Sequence, residues 1–141
     1  YIGLIFTPDG PKILEYNMRF GDPETQVLLP QITNDFYQLI SDLLANRQPS
    51  LTLSDKAYAC FVAVNPAYPS GALKTVPVIV PTDWPEGTWL PAGVAKSHAG
   101  RIFSVVAGAE SLPDAVKAAK TAMEKIQGVL DYRTDIGFHT L

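Results

Sequence analysis

Short apolar runs rich in β-branched and aromatic residues, separated by Pro- and Gly-bearing turns, constrain this chain more than any other feature. Ala57 to Val64, Val76 to Val80 and Ile102 to Val106 are such runs, and Asn65-Pro66, Pro69-Ser70-Gly71 and Pro85-Glu86-Gly87 punctuate them. Side chains of this kind fit a pleated, half-buried surface, so the runs predict strands. Nearer the amino terminus, Ile2 to Thr7 and Lys12 to Asn17 flank Pro8-Asp9-Gly10. That arrangement predicts an antiparallel hairpin around a tight turn.

Helical signals lie between and after these runs. Asp22-Pro23-Glu24 predicts a helix start, with Asp22 as cap, Pro23 in the first turn and Glu24 against the positive end of the dipole. Pro30 then predicts a break. Thr33-Asn34-Asp35 offers caps for a further helix, and Phe36, Leu39, Ile40, Leu43 and Leu44 recur at the spacing of one buried face. Ser111-Leu112-Pro113-Asp114 has capping-box spacing. Ala115, Val116, Ala119, Met123 and Ile126 follow as an apolar face, with Gly128 as the expected stop. The chain therefore reads as α+β with mostly antiparallel sheets. Asn46 to Ser50 is the predicted boundary between units 1–47 and 48–141.

Composition narrows the function classes. With 141 residues and 47% hydrophobic content the chain can bury a core, and 18% charged residues argue against disorder. A net charge of −3 with scattered Lys and Arg argues against a nucleic-acid surface. No apolar run is long enough to cross a bilayer, so no membrane partner is expected, and the cytoplasm is the expected location. Cys60 sits alone in an apolar run, which predicts a buried thiol rather than a nucleophile. The sequence opens inside a strand-like run without methionine, which predicts a piece of a longer polypeptide.

The stretch from Glu15 to Gln26 carries the chemistry. Side chains alternate along a strand, so Glu15 and Asn17 share one face while Leu14 and Tyr16 take the other. A carboxylate beside an amide oxygen makes a pair of hard donors that suits Mg²⁺ when phosphates complete its shell. Arg19 would emerge on the same face, within reach of an anion gathered by the metal. From spacing alone, an edge strand with a polar face is the commoner source of such a triplet. His98 and His139 have no partner at a metal-ligand spacing. Trp84 and Trp89 read as sheet-covering aromatics, and Gly71, Gly87, Gly93 and Gly100 as turn punctuation rather than a phosphate loop. The lysines of the last helix read as a solvated face.

The string Glu15-Tyr16-Asn17-Met18-Arg19-Phe20-Gly21-Asp22-Pro23-Glu24-Thr25-Gln26 resembles the signature of phosphoribosylamine–glycine ligases. Its first part resembles the closing strand of the ATP-grasp fold. Downstream, Tyr68-Pro69-Ser70-Gly71, Ala99-Gly100-Arg101-Ile102 and Tyr132-Arg133-Thr134-Asp135-Ile136-Gly137 resemble further stretches of that family. Two departures stand in the second unit: Pro91-Ala92-Gly93 where the family has His-Ala-Gly, and Ala99 for a glycine. The resemblance implies an ATP-dependent ligase that makes glycinamide ribonucleotide from glycine and 5-phosphoribosylamine through a glycyl phosphate. It implies Mg²⁺ or Mn²⁺ held by Glu15 and Asn17, with ATP as co-substrate. Arg19 would act on the transferring phosphoryl group, and Asp22 and Glu24 on the amine or ammonium. Helix capping accounts for that last pair equally well.

The resemblance further implies that units 1–47 and 48–141 are the last hairpin and helices of an ATP-grasp core and a carboxy-terminal domain. The amino-terminal domains of the same enzyme would be its partners. A chain without them is expected to be inactive alone. Two other readings compete: a noncatalytic packing or interaction module that kept the fold, and part of another ATP-grasp ligase or carboxylase. The Phe20-to-Glu24 extension favours the glycine ligase over the second.

Overall fold

The computed structural model describes residues 1–71, 77–79, 81–82, 88–91 and 100–138. Strands β1 (Ile2–Thr7) and β2 (Gly10–Tyr16) form the predicted antiparallel hairpin. The Thr7 hydroxyl donates to the Gly10 carbonyl at 2.8 Å across the turn, and Gly10 adopts φ +96°, a conformation that favours glycine. Pairing is not uniform along the ladder. Gly3 faces Glu15 while Leu4 faces Ile13, so Leu14 is the extra residue of a β-bulge. The bulge interrupts the two-residue alternation: Glu15 shares the face of Gly3, and Ile13 the opposite face with Leu4. Ile2, Leu4, Phe6, Ile13 and Tyr16 lie on that second face, all exposed.

Helix α1 (Glu24–Leu28) runs into a 3₁₀ turn at Leu29–Gln31, where Pro30 breaks the α-helical ladder as expected. Its start differs from the sequence expectation by one position. Pro23 is the N-cap, and no side chain caps the helix. Helix α2 (Phe36–Leu44) is capped as expected, Asp35 accepting from the Gln38 amide at 3.0 Å. Its expected buried face is not formed. Leu39 is buried, but Phe36, Ile40, Leu43 and Leu44 are all exposed. Periodicity specifies an apolar stripe; burial needs a partner, and no described element covers this one.

The main sheet is built on β3 (Ala57–Val64), β5 (Thr88–Pro91) and β6 (Arg101–Ala109), antiparallel in the order β3-β6-β5. Two short strands, β4 (Val78–Ile79) and β7 (Gln127–Gly128), pair beside it. The expected strand ends at Val76 and Val80 lie outside the described residues. Helix α3 (Leu112–Glu124) is capped by Ser111, whose Oγ accepts from the Asp114 amide at 3.3 Å. It ends at Lys125 rather than at Gly128, which belongs to β7.

Alternate residues Ala59, Phe61 and Ala63 of β3, with Phe103, Val105 and Ala107 of β6, face α3. Ala115, Ala119 and Ala122 let the helix approach closely, and Phe61 and Met123 fill the space between. Tyr132 closes this core edge-on to Phe61, with ring centroids 6.1 Å apart. Helix α3 covers one face of the sheet, and α1 covers part of the other. Opposite α3, Ser104 and Val106 are also buried, on the side where α1 packs. The architecture is α+β with antiparallel sheets.

Candidate functional site

The hairpin end gathers three of the expected site residues around Tyr1. Asn17 and Tyr1 exchange main-chain hydrogen bonds of 2.7 and 2.8 Å, which extends the ladder one residue beyond β2. Past the bulge, Glu15 and Asn17 sit on the same face. The Tyr1 hydroxyl donates to Glu15 Oε1 at 3.2 Å, and the Arg19 guanidinium lies 5.9 Å from the Tyr1 ring centroid. Partial desolvation and then the Glu15 carboxylate hold the Tyr1 phenol above its ordinary pKa. Gly3 belongs to this arrangement too: a Cβ there would stand 3.0 Å from Glu15 Cγ, so glycine leaves room for the carboxylate.

This donor set can be tested against a hard cation. Glu15 and Asn17 supply a carboxylate and an amide oxygen at an exposed strand end. No cluster of three or more His, Cys, Asp or Glu exists among the described residues. Two oxygen donors are too few to hold Mg²⁺ alone. They fit an ion that brings phosphate and water ligands with it.

After Arg19 the chain turns into α1, and the Gly21 carbonyl is held by both the amide and the hydroxyl of Thr25, at 2.9 and 2.7 Å. Gly21 is buried, and the Glu24 side chain folds across the space a Cβ would occupy there. Asp22 is tied on both oxygens: Oδ1 accepts from Gln26 Nε2 at 2.7 Å, and Oδ2 pairs with Arg101 Nη1 at 3.0 Å. The same Nη1 donates to the Asp22 main-chain carbonyl at 2.9 Å. Gln26 Oε1 is left buried without a partner. Asp22, Gly21, Thr25 and Gln26 line a cavity of about 680 Å³. Its far wall includes Lys56, with Tyr58 of β3 and Val106 and Gly108 of β6. The Tyr58 ring lies over Gly108, where a Cβ would come within 2.6 Å of it.

Arg101 and Tyr68 are the residues that sequence reasoning quoted without a role. Arg101 reaches Asp22 across 79 positions, a separation no local rule bridges. Its guanidinium is held above the ordinary arginine value first by a hydrogen bond with Tyr68 and then by the Asp22 charge. The Tyr68 ring fills the space over Gly100 that any side chain there would need. Two turn-like motifs thus meet the third at one point. The terminal motif stays apart: Arg133 forks onto Asp135 at 2.9 and 2.6 Å, and Tyr132 and Ile136 pack on the core.

Cys60 is half-buried, and burial pushes its thiol up to about 11, against a smaller opposing effect of a Ser104 hydrogen bond. That is the inert thiol expected. Trp84, His98, His139, Ala99 and the Ala92-Gly93 pair lie outside the described residues, as does the Trp89 side chain. No described helix is long and apolar enough to cross a membrane.

Comparison with known proteins gives a consistent result. No family model matches the chain. It is 36% identical over 147 residues to the phosphoribosylamine–glycine ligase of Streptococcus pneumoniae (strain R6), covering 97% of this chain and 35% of that protein. It is 35% identical to the trifunctional purine biosynthetic protein adenosine-3 of Homo sapiens, across the whole chain and 15% of that protein. The crystal structure of the phosphoribosylamine–glycine ligase of Thermotoga maritima superposes with a TM-score of 0.80 and 26% identity. That match covers 96% of this chain and 36% of the other. The chain thus spans about 35% of the length of the ligases it matches.

Proposed function

We propose that this chain, which belongs to the phosphoribosylamine–glycine ligase family, supplies the metal-facing strand end and part of the substrate cavity of such a ligase. The reaction is ATP-dependent joining of glycine to 5-phosphoribosylamine in cytoplasmic purine synthesis. ATP phosphorylates the glycine carboxylate, and the amine attacks the acyl phosphate to release phosphate and give glycinamide ribonucleotide. The observation that carries this reading is a convergence. Glu15, Asn17 and Arg19 share one side of the hairpin end, and Asp22, three residues further on, lines the cavity walled by β3 and β6.

Each residue has a role its chemistry allows. Glu15 and Asn17 would hold Mg²⁺ or Mn²⁺ on the ATP phosphates, as the last strand of an ATP-grasp core. A bound ion would neutralise phosphate charge there. Arg19 sits at the same strand end as a permanent cation for the transferring phosphoryl group. Asp22 and Glu24 are acceptors, suited to orient an amine or ammonium. The β1–β2 hairpin and α2 each expose an apolar face, and such faces mark docking surfaces. They support packing against the amino-terminal domains of the same enzyme.

The test is Glu15→Gln and Asn17→Ala in an intact ligase carrying this segment. Each removes a metal donor worth a few kcal/mol in the transition state, so turnover should fall about a hundredfold or more. Melting temperature should hold, because both side chains stand outside the core. Normal turnover with an unchanged Mg²⁺ requirement would leave only a polar strand edge.

A further inference from the structure

We infer that Arg101 and Tyr68 are positioning residues, which together aim the Asp22 carboxylate at the mouth of the 680 Å³ cavity to receive the amine or ammonium of a substrate. The inference rests on the ligase reading and deepens it, because it identifies what holds the substrate-facing acceptor in place.

The contacts form a chain of dependence that starts at a glycine. Gly100 has no side chain, so the Tyr68 ring can lie against its main chain. The turn bearing Tyr68 is fastened there: the Asn65 amide donates to the Gly100 carbonyl at 2.7 Å, and the Tyr68 amide to the Asn65 carbonyl at 2.8 Å. The Tyr68 phenol thereby lies beside the residue that follows Gly100, and it favours the charged form of the Arg101 guanidinium. Arg101 Nη1 then grips Asp22 twice, on the main-chain carbonyl and on Oδ2. Gln26 restrains the other oxygen. With both main chain and carboxylate held, the Asp22 side chain has little rotational freedom left.

Two magnitudes favour positioning over a stabilising staple. The Asp22 side chain is 61% exposed and that of Arg101 37% exposed. Pairs as open as this contribute little to folding stability. Each carboxylate oxygen carries two acceptor sites, and each is engaged by one donor here, so both retain capacity for a ligand N–H. The planar guanidinium meets the Asp22 main chain and carboxylate together. A lysine ammonium lacks that fixed fork and cannot keep the set.

The experiment is steady-state kinetics on the intact ligase with Arg101→Lys, Tyr68→Phe, Asp22→Asn and the double variant Asp22→Asn/Arg101→Lys. Arg101→Lys should raise KM for glycine or phosphoribosylamine about tenfold, with KM for ATP and the melting temperature unchanged. Tyr68→Phe should move the same KM in the same direction by less. Because Arg101 acts through Asp22, the double variant should be no worse than Asp22→Asn alone. Hydrogen exchange should quicken at residues 20–26 in Arg101→Lys and stay unchanged in β3. Wild-type KM values in Arg101→Lys, or effects of Asp22 and Arg101 that multiply, would overturn the inference while leaving the ligase reading intact. An unaltered enzyme that forms no glycinamide ribonucleotide would instead overturn the ligase reading, and with it the substrate half of the inference. The exchange result would then decide the positioning half.

Discussion

Replacing Gly100 by alanine isolates the contact between the Tyr68 ring and the main chain at Gly100. An alanine Cβ would stand 2.5 Å from Cε2 and 2.7 Å from Cγ of Tyr68. Carbon atoms in contact prefer about 3.5–4.0 Å, so the ring must retreat by an ångström or more. A phenol ring attached to a fastened turn cannot yield that distance elastically. It must swing into solvent, which is open to it because Tyr68 is already 41% exposed. Leaving gives up the packing of the ring over the main chain at Gly100. Forcing a methyl group into an occupied contact costs about 1–3 kcal/mol, and that steric cost is the one expected here. At about 4 °C per kcal/mol, melting should fall by roughly 4–12 °C. The assay is thermal unfolding by circular dichroism of Gly100→Ala, Tyr68→Ala and the double variant. Once the ring is gone the methyl group has room, so the double variant should melt with Tyr68→Ala. Additive losses would refute the reasoning, because they would mean that alanine at this position costs stability for a reason other than Tyr68.

Two further outcomes follow from the core and the thiol. Phe61→Ala empties a fully buried site between β6, α3 and Tyr132 and should cost about 3–5 kcal/mol in denaturant unfolding, whereas Leu44→Ala on the open face of α2 should cost well under 1. Burial disfavours the Cys60 thiolate, so its alkylation rate should keep climbing through pH 9 and level only near 11; at pH 8 it should be about a thousandth of its limit. A plateau near pH 8.5 would mean an open, ordinary thiol.

What the sequence by itself determined is what neighbouring residues impose on one another. The hairpin turn at Gly10, the caps Asp35 and Ser111, the break at Pro30 and the alternating core of β3 all follow from interactions within a few positions. The string from Glu15 to Gln26 was legible only through its resemblance to a ligase family, since its spacing alone suits a polar strand edge. Tertiary structure decided which faces are covered and which charges meet. It inserted Leu14 as a bulge, placing Glu15 opposite Gly3 and away from the face of Ile13. It left the stripe of α2 open, because an apolar pattern needs a surface against it and a pattern cannot supply one. It turned Asp22 from an expected helix cap into the partner of Arg101, and gave Gly100 a steric reason to be glycine. Those outcomes depend on segments far apart in the chain arriving at one place, and helical or strand periodicity carries no information about that arrival.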